Sequence, residues 1–159
     1  MIRVGTGWDA HPLVQDRVLV LAGVTVPYHL GPDGHSDSDV LSHSIVDALL
    51  GAASLGDIGQ HFPSDNPKYK DISSLQFLDY TATLLEKHRW RVGNVDATIV
   101  LQEPKLAPHL PEIRRRVSAV LRVDESHVSI KAKSSNGLGF EGSQDGISAQ
   151  AVALIESEF

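Results

Sequence analysis

Asp9 and His11 are separated by one residue at the end of a short β-branched run. Side chains two apart in a strand share a face and lie about 7 Å from one another. A carboxylate and an imidazole so placed are able to hold one metal ion. Taken alone, the triplet is more often a strand-end Asp–His hydrogen bond, so a third ligand is required. His43 is the candidate, in the second turn of a helix and one position off its apolar stripe, although a half-buried, hydrogen-bonded histidine would look the same. One carboxylate and two neutral imidazoles make a three-ligand set for zinc with an open fourth position. His35 and Ser36 sit in a Gly- and Asp-rich loop directly before that helix, where free N–H groups and the helix dipole favour a phosphate. The same HSDSD run also reads as an elaborate cap, and the two roles coexist. Asp57, Ile58 and Gly59, followed by Phe62 and Pro63, read either as a shaped surface pocket or as a plain inter-helix connection. Cations come later: Lys105 between two prolines, and Lys131 and Lys133 before the glycine-rich turn 134–142. Lysine, hydroxyls and glycine N–H groups together suit phosphate oxygens, while each lysine alone reads as a solvated charge. Arg114, Arg115 and Arg116 read as a solvated helix face.

The elements that must position these residues follow from periodicity. Residues 2–8 and 18–26 are β-branched and predict two strands, and 27–39 is a Pro/Gly/Asp/Ser loop. A helix follows, with Asp37 or Ser38 as N-cap and Asp39 in its first turn. Its stripe runs through Val40, Leu41, Ile45, Ala48, Leu49, Ala52 and Leu55, and Gly56 is placed to end it. Residues 57–72 predict a polar loop, 73–90 a helix, 92–102 a strand stopped by Pro104, and 108–122 a helix. Residues 127–133 predict a fourth strand and 146–157 a final amphipathic helix. Interleaved strands and helices predict an α/β (α+β) chain, one domain over residues 1–159.

Composition narrows the function. No cysteine is present, which excludes disulfides, thiolate zinc sites and cysteine nucleophiles. A net charge of −6 argues against nucleic acid as a partner. No apolar run is long enough to span a membrane, and the N-terminus has no signal-peptide pattern, which predicts a cytoplasmic protein. His11, His29, His35, His43 and His61, with seven acids against Arg3 and Arg17, fall within the first 61 residues. That stretch therefore carries nearly all the net negative charge, and the remainder is close to neutral.

Six motifs in order are spread along most of the chain: W-D-A-H at 8–11, G-H-S-D-S-D-V-x-x-H at 34–43, D-A-L-L-G-A-A-S-L-G-D-I-G-x-x-F-P at 47–63, G-N-V-D-A-T-I-V at 93–100, P-K-L-A-P-H at 104–109 and G-L-G-F-E-G at 137–142. Each is weak alone, but their order and spacing closely resemble the 2-C-methyl-D-erythritol 2,4-cyclodiphosphate synthases of the non-mevalonate isoprenoid pathway. The resemblance implies a four-stranded mixed sheet covered by helices, assembled as a homotrimer with active sites between neighbours. The implied substrate is 4-diphosphocytidyl-2-C-methyl-D-erythritol 2-phosphate, whose 2-phosphate attacks the β-phosphorus, closes the cyclic diphosphate and expels CMP.

The resemblance also implies zinc on Asp9, His11 and His43, and a second divalent cation, magnesium or manganese, on the diphosphate. His35 and Ser134 would align and polarise the reacting phosphates. Asp9, Ala10, His11, His35 and Ser36 would touch substrate. Asp57, Ile58 and Gly59, with the loop Phe62, Pro63, Ser64, Asp65 and Asn66, would form the methylerythritol pocket. Leu101, Gln102, Glu103, Pro104, Lys105, Leu106 and Ala107 would hold the cytidine diphosphate, with Lys133, Ser134, Ser135, Asn136 and Phe140. The chain departs from the family at Asn136, where a glutamate usually binds the second cation, so a neutral ligand should weaken that site. Ser134 and Ser135 replace a threonine pair, and Asn66 replaces an aspartate. Ser143 and Gln150 replace an arginine and a glutamate that line an axial cavity. Asn136 motivates a second reading, a zinc-bound trimeric binding protein with weak or no turnover. A third is a zinc phosphohydrolase using the same triad and water.

Overall fold

β-Branched and small residues alternate through Ile2–Gln15 and make one long strand, β1. Its even positions Ile2, Val4, Thr6 and Trp8 are exposed, while Arg3, Gly5, Gly7, Asp9 and His11 turn toward the helices. The strand continues past the expected end at residue 8, so Asp9 and His11 lie within it. The computed structural model describes residues 1–157, and the last two residues of the expected 1–159 domain lie outside the described residues.

Residues 18–26 form a hairpin of β2 (Leu19–Leu21) and β3 (Val24–Val26), not one strand. Ala22 and Gly23 both have positive φ, 50° and 72°, which is what a two-residue hairpin turn matched to strand twist requires. The expected loop 27–39 contains β4 (Leu30–Pro32), paired with the end of β1. Helix α1 (Val40–Ala53) is capped by Asp39, neither Asp37 nor Ser38, and closes at Ser54 in the left-handed region, ahead of Gly56. The expected loop 57–72 holds a short helix, α2 (Ile58–His61), and a 3-10 turn at Pro67–Tyr69. Next come α3 (Leu75–Lys87), β5 (Trp90–Val100), α4 (Leu110–Leu121), β6 (Val128–Lys133) and α5 (Gly139–Gly142).

The expected last helix is instead the strand β7 (Gly146–Ser157). Its residues pair on one side with β1 and on the other with β5, both antiparallel. The alanines at 149, 151 and 153 suit a helix by propensity, but they also alternate, and their buried face lies beneath α1. Ladder bonds on both edges and burial of that face override local preference. The sheet therefore has five strands, not four, in the order β4-β1-β7-β5-β6, mixed because β5 and β6 run parallel. Helices α1, α3 and α4 cover one face around a single hydrophobic core. Among the described residues no helix is long and apolar enough to cross a membrane.

Gly5 and Gly7 face α1 directly. A Cβ at Gly7 would stand 1.9 Å from the Ser44 carbonyl oxygen, and one at Gly5 2.0 Å from that of Ala48. Both obstacles are helix backbone, which cannot swing aside. Gly7→Ala is therefore expected to lower stability by about 3 kcal/mol, the upper end for overpacking. Denaturant unfolding measures it, and a midpoint equal to that of the native chain contradicts the tight contact.

Candidate metal centre and cleft

The inward face of β1 reads Gly5, Gly7, Asp9, His11, so two residues without side chains are followed by two metal-ligating ones. The glycines bring α1 close, and its second turn then sets His43 opposite Asp9 and His11. Asp39 fixes where the helix starts. Its fully buried carboxylate accepts the Ser42 N–H at 3.0 Å, the Ser42 hydroxyl at 2.7 Å and the Ala22 N–H at 2.6 Å. Burial, with the Asp37 charge nearby, pushes the Asp39 carboxyl up to about 6.

Asp9 Oδ2 lies 3.0 Å from His11 Nε2 and 3.1 Å from His43 Nδ1. One donor atom from each of the three residues falls within 4.8 Å of the others. The far side of each ring is held as well. His11 Nδ1 is 2.8 Å from the Asp33 carbonyl oxygen, and His43 Nε2 is 2.8 Å from Ser74 Oγ. His11 Nε2 is close to the carboxylate but not aligned with it, so among the described residues this buried nitrogen has no hydrogen-bond partner. Buried polar atoms are rarely left this way, and an orphaned imidazole nitrogen beside a carboxylate is what a metal ligand looks like before an ion joins it. The residues fit zinc. Burial pushes the Asp9 carboxyl up, but the two imidazoles outweigh it and hold it below the ordinary value. Burial pushes His11 down, and the Asp9 carboxylate outweighs that and raises it. The cluster thus favours positive charge beside Asp9.

The triad forms one end of a cleft of about 190 Å3. His35, Ser36, Ile58, Gly59, Phe62 and Ser64, all among the residues expected to touch substrate, line it. Tyr69 and Phe77 also line it, without a signal in the sequence, since one lies in an expected loop and the other inside an expected helix. Phe62 stacks on Phe77 with centroids 4.2 Å apart, and Tyr69 stands edge-on to both. The cleft is therefore ionic at one end and aromatic at the other. His35 Nε2 contacts the Asn66 carbonyl oxygen at 2.7 Å, and the His35 carbonyl accepts the Asp71 N–H at 2.8 Å, tying the pocket loop to the α1 entry.

Other expected contacts lie elsewhere. Strand alternation turns the Ala10 side chain to the opposite face of β1. Asp57 caps α2 through the Gln60 N–H, and Asn66 caps the turn at Pro67–Tyr69. Pro63 and Asp65 belong to the same loop but do not line the cleft. Phe140 packs near Gly146, which pairs with Pro12.

The second expected group forms where β5 and β6 end. The Leu101 N–H donates to the Lys133 carbonyl at 2.9 Å, and the Gly137 N–H to Gln102 Oε1 at 3.2 Å. This joins the segment from Gln102 through Glu103, Pro104, Lys105 and Ala107 to Ser134, Ser135 and Asn136. The Leu101 and Leu106 side chains are buried in the core, leaving only their backbone for a ligand. Lys131 is paired with Asp96 at 2.7 Å. The register places Ala10, Ser148, Val100 and Lys133 on one line across the sheet. Three strand spacings separate the first from the last, about 14 Å. Both groups therefore sit at the same end of the sheet, but within one chain Ser134 and Lys105 do not share the cleft with His35.

Comparison with known proteins shows the family and the fold. The sequence model of the YgbB family matches residues 2–156. The 2-C-methyl-D-erythritol 2,4-cyclodiphosphate synthase of Syntrophomonas wolfei is 56% identical over 155 residues, which is 98% of this chain and 99% of the relative. Among solved structures, IspF of Plasmodium falciparum in complex with CDP is 35% identical with a TM-score of 0.86, covering 99% of this chain and 97% of that one. The bifunctional IspDF of Campylobacter jejuni is 33% identical with a TM-score of 0.95, matching 99% of this chain, which spans only 43% of that longer protein. A single-domain α+β chain with a mixed five-stranded sheet, matched along almost its full length by sequence and by structure, belongs to the YgbB family of 2-C-methyl-D-erythritol 2,4-cyclodiphosphate synthases.

Proposed function

We propose that the chain, as one domain, is a cytoplasmic CMP-releasing cyclodiphosphate synthase, a phosphorus–oxygen lyase acting on 4-diphosphocytidyl-2-C-methyl-D-erythritol 2-phosphate. The observation that carries the reading is the Asp9–His11–His43 cluster, with its orphaned imidazole nitrogen, at the ionic end of a cleft whose other end is aromatic. An oxygen of the 2-phosphate bonds to the β-phosphorus. The bond from that phosphorus to the bridging oxygen breaks, and CMP leaves with the oxygen. Neither water nor an oxidant is consumed. Two anions must be held together, so positioning and charge compensation are what the protein has to supply. Asp9, His11 and His43 would hold zinc, which would supply positive charge to compensate the phosphates. Ser36, buried at the α1 entry, accepts the Ser38 N–H at 3.1 Å, which leaves its hydroxyl hydrogen for a phosphate. His35 lines the same wall and is steadied through Asn66. Phe62, Tyr69 and Phe77 exclude water around the carbon skeleton.

The remaining groups point to a homotrimer with shared sites. Ile2, Val4, Trp8 and Val152 are 65%, 61%, 60% and 46% exposed on the sheet face that no helix covers. Exposed apolar surface of this extent marks an interaction site, and the partner is a further copy of the chain. Lys105, Lys133, Ser134 and Asn136 would then complete a neighbour's cleft and hold the cytidine diphosphate. Asn136, with φ of 57° in an exposed turn, offers a carbonyl oxygen to magnesium or manganese. The CDP complex of the Plasmodium falciparum relative supports a cytidine nucleotide as ligand.

Three outcomes test this reading. With zinc and magnesium present, the purified chain should release CMP and the cyclic diphosphate together, and a linear bisphosphate product or no CMP rejects it. His43→Ala should reduce bound zinc below one per chain and abolish turnover, whereas unchanged zinc in elemental analysis means the ligands are misassigned. Asp9→Asn and Lys105→Ala chains, each inactive alone, should recover activity when unfolded and refolded together, because mixed trimers contain some intact sites. No recovery places both residues in a site built by one chain.

A further inference from the structure

Ser74 stands at the N-cap of α3, yet it makes no capping bond to that helix. A cap serine ordinarily accepts from an amide in the first turn, so this hydroxyl is committed elsewhere. It is fully buried, and its oxygen lies 2.8 Å from His43 Nε2. Its hydrogen goes to Asp37 Oδ1, and its backbone N–H donates to Asp37 Oδ2 at 3.0 Å. Asp37 is itself anchored, accepting the Asp39 N–H at 3.2 Å and donating its own N–H to the Ile72 carbonyl at 3.0 Å.

We infer that Ser74, oriented by Asp37, is a positioning residue for the metal centre that sets which nitrogen of His43 carries the proton. The inference rests on the zinc reading above. A carboxylate only accepts, so the single hydroxyl hydrogen of Ser74 is directed to Asp37. The Ser74 oxygen must then accept from His43, which places the imidazole proton on Nε2 and leaves the Nδ1 lone pair facing the centre. Without this arm, the Asp9 carboxylate, 3.1 Å from Nδ1, would draw the proton to the nitrogen that has to bind metal. His11 needs the opposite tautomer and obtains it from backbone, through the Asp33 carbonyl on Nδ1. The two imidazoles are thus held in opposite senses, one by main chain and one by a serine–aspartate pair. Ser36 Oγ lies farther from His43 Nε2, at 3.3 Å, and already accepts the Ser38 N–H.

Zinc affinity of the full chain, measured by competition with a chromophoric chelator, tests the inference without reference to turnover. Ser74→Ala is expected to weaken zinc binding about 10- to 100-fold, the usual effect of removing a group that orients a ligating histidine. Ser74→Thr keeps the hydroxyl and should recover most of that loss. Ser118→Ala removes an equally buried serine hydroxyl, bound to the Arg115 carbonyl in α4, and should leave zinc affinity unchanged. If Ser74→Ala does not fold, Asp37→Asn is read in the same assay, because an amide no longer dictates the direction of the Ser74 hydrogen, and weaker zinc binding is expected. Zinc affinity within about twofold of the native chain in Ser74→Ala, or in Asp37→Asn where that variant stands in, overturns the inference. So does a Ser74→Thr chain as weak as Ser74→Ala. A native chain that binds no zinc refutes the underlying reading instead, so the two failures are distinguishable.

Discussion

The contact between the glycines of β1 and the backbone of α1 is the constraint on which the site depends. Carbonyl oxygens of Ser44 and Ala48 occupy the space where side chains of Gly7 and Gly5 would lie. That closeness places His43 within hydrogen-bond distance of a carboxylate two strand positions farther along. A wider helix–sheet separation would leave Asp9, His11 and His43 as three unrelated surface residues. Burying them together is costly unless their charges are balanced, and the arrangement balances them with one acid between two bases. The outer nitrogens are then fixed by the Asp33 carbonyl and by Ser74, so the rings have little freedom to turn away.

The uneven charge of the chain has a counterpart in where its elements end. Acids and histidines of the first part gather at the end of β1 and the start of α1. Lys105 and Lys133 stand at the same end of the sheet, two and three strands away, because β1, β5 and β6 all finish there. A zinc cluster alone would be a poor host for three phosphates beside so many carboxylates. In the proposed homotrimer, copies of the chain would meet through the sheet face that bears Trp8, and the lysines of one would supply what the cluster of its neighbour lacks. The chemistry of such a reaction asks little more of the protein than this juxtaposition of opposite charges.

Much of the site was legible in residue types. Asp9, His11 and His43 are recognisable as a possible metal cluster because few residue types ligate metals and two of them lie on one strand face. The helix that carries His43 is readable from its stripe, although the expected cap, Asp37 or Ser38, lies one or two residues before the actual one, Asp39. The segment at 146–157 was misread because alternating alanines and isoleucines satisfy a helical stripe as well as a strand face, and only pairing with β1 and β5 decides between them. Gly5 and Gly7 carried no signal as positioning residues until a helix was known to lie against them. Ser74, Tyr69 and Phe77 lie outside the motifs: packing of α3 against α1 brings Phe77 to the cleft and Ser74 to His43, and the turn at Pro67–Tyr69 brings Tyr69. Likewise, the family resemblance pairs His35 with Ser134 on the reacting phosphates, whereas within one chain Ser134 does not line the cleft that holds His35.

The account rests on one ion held by two imidazoles and one carboxylate at the end of β1. X-ray absorption at the zinc edge on the loaded protein reads that ligand set directly. It should show two imidazole nitrogens at about 2.0–2.1 Å and oxygen at about 2.0–2.2 Å in four-coordinate geometry. A spectrum with no imidazole scattering, or with an oxygen-only six-coordinate shell, would contradict it.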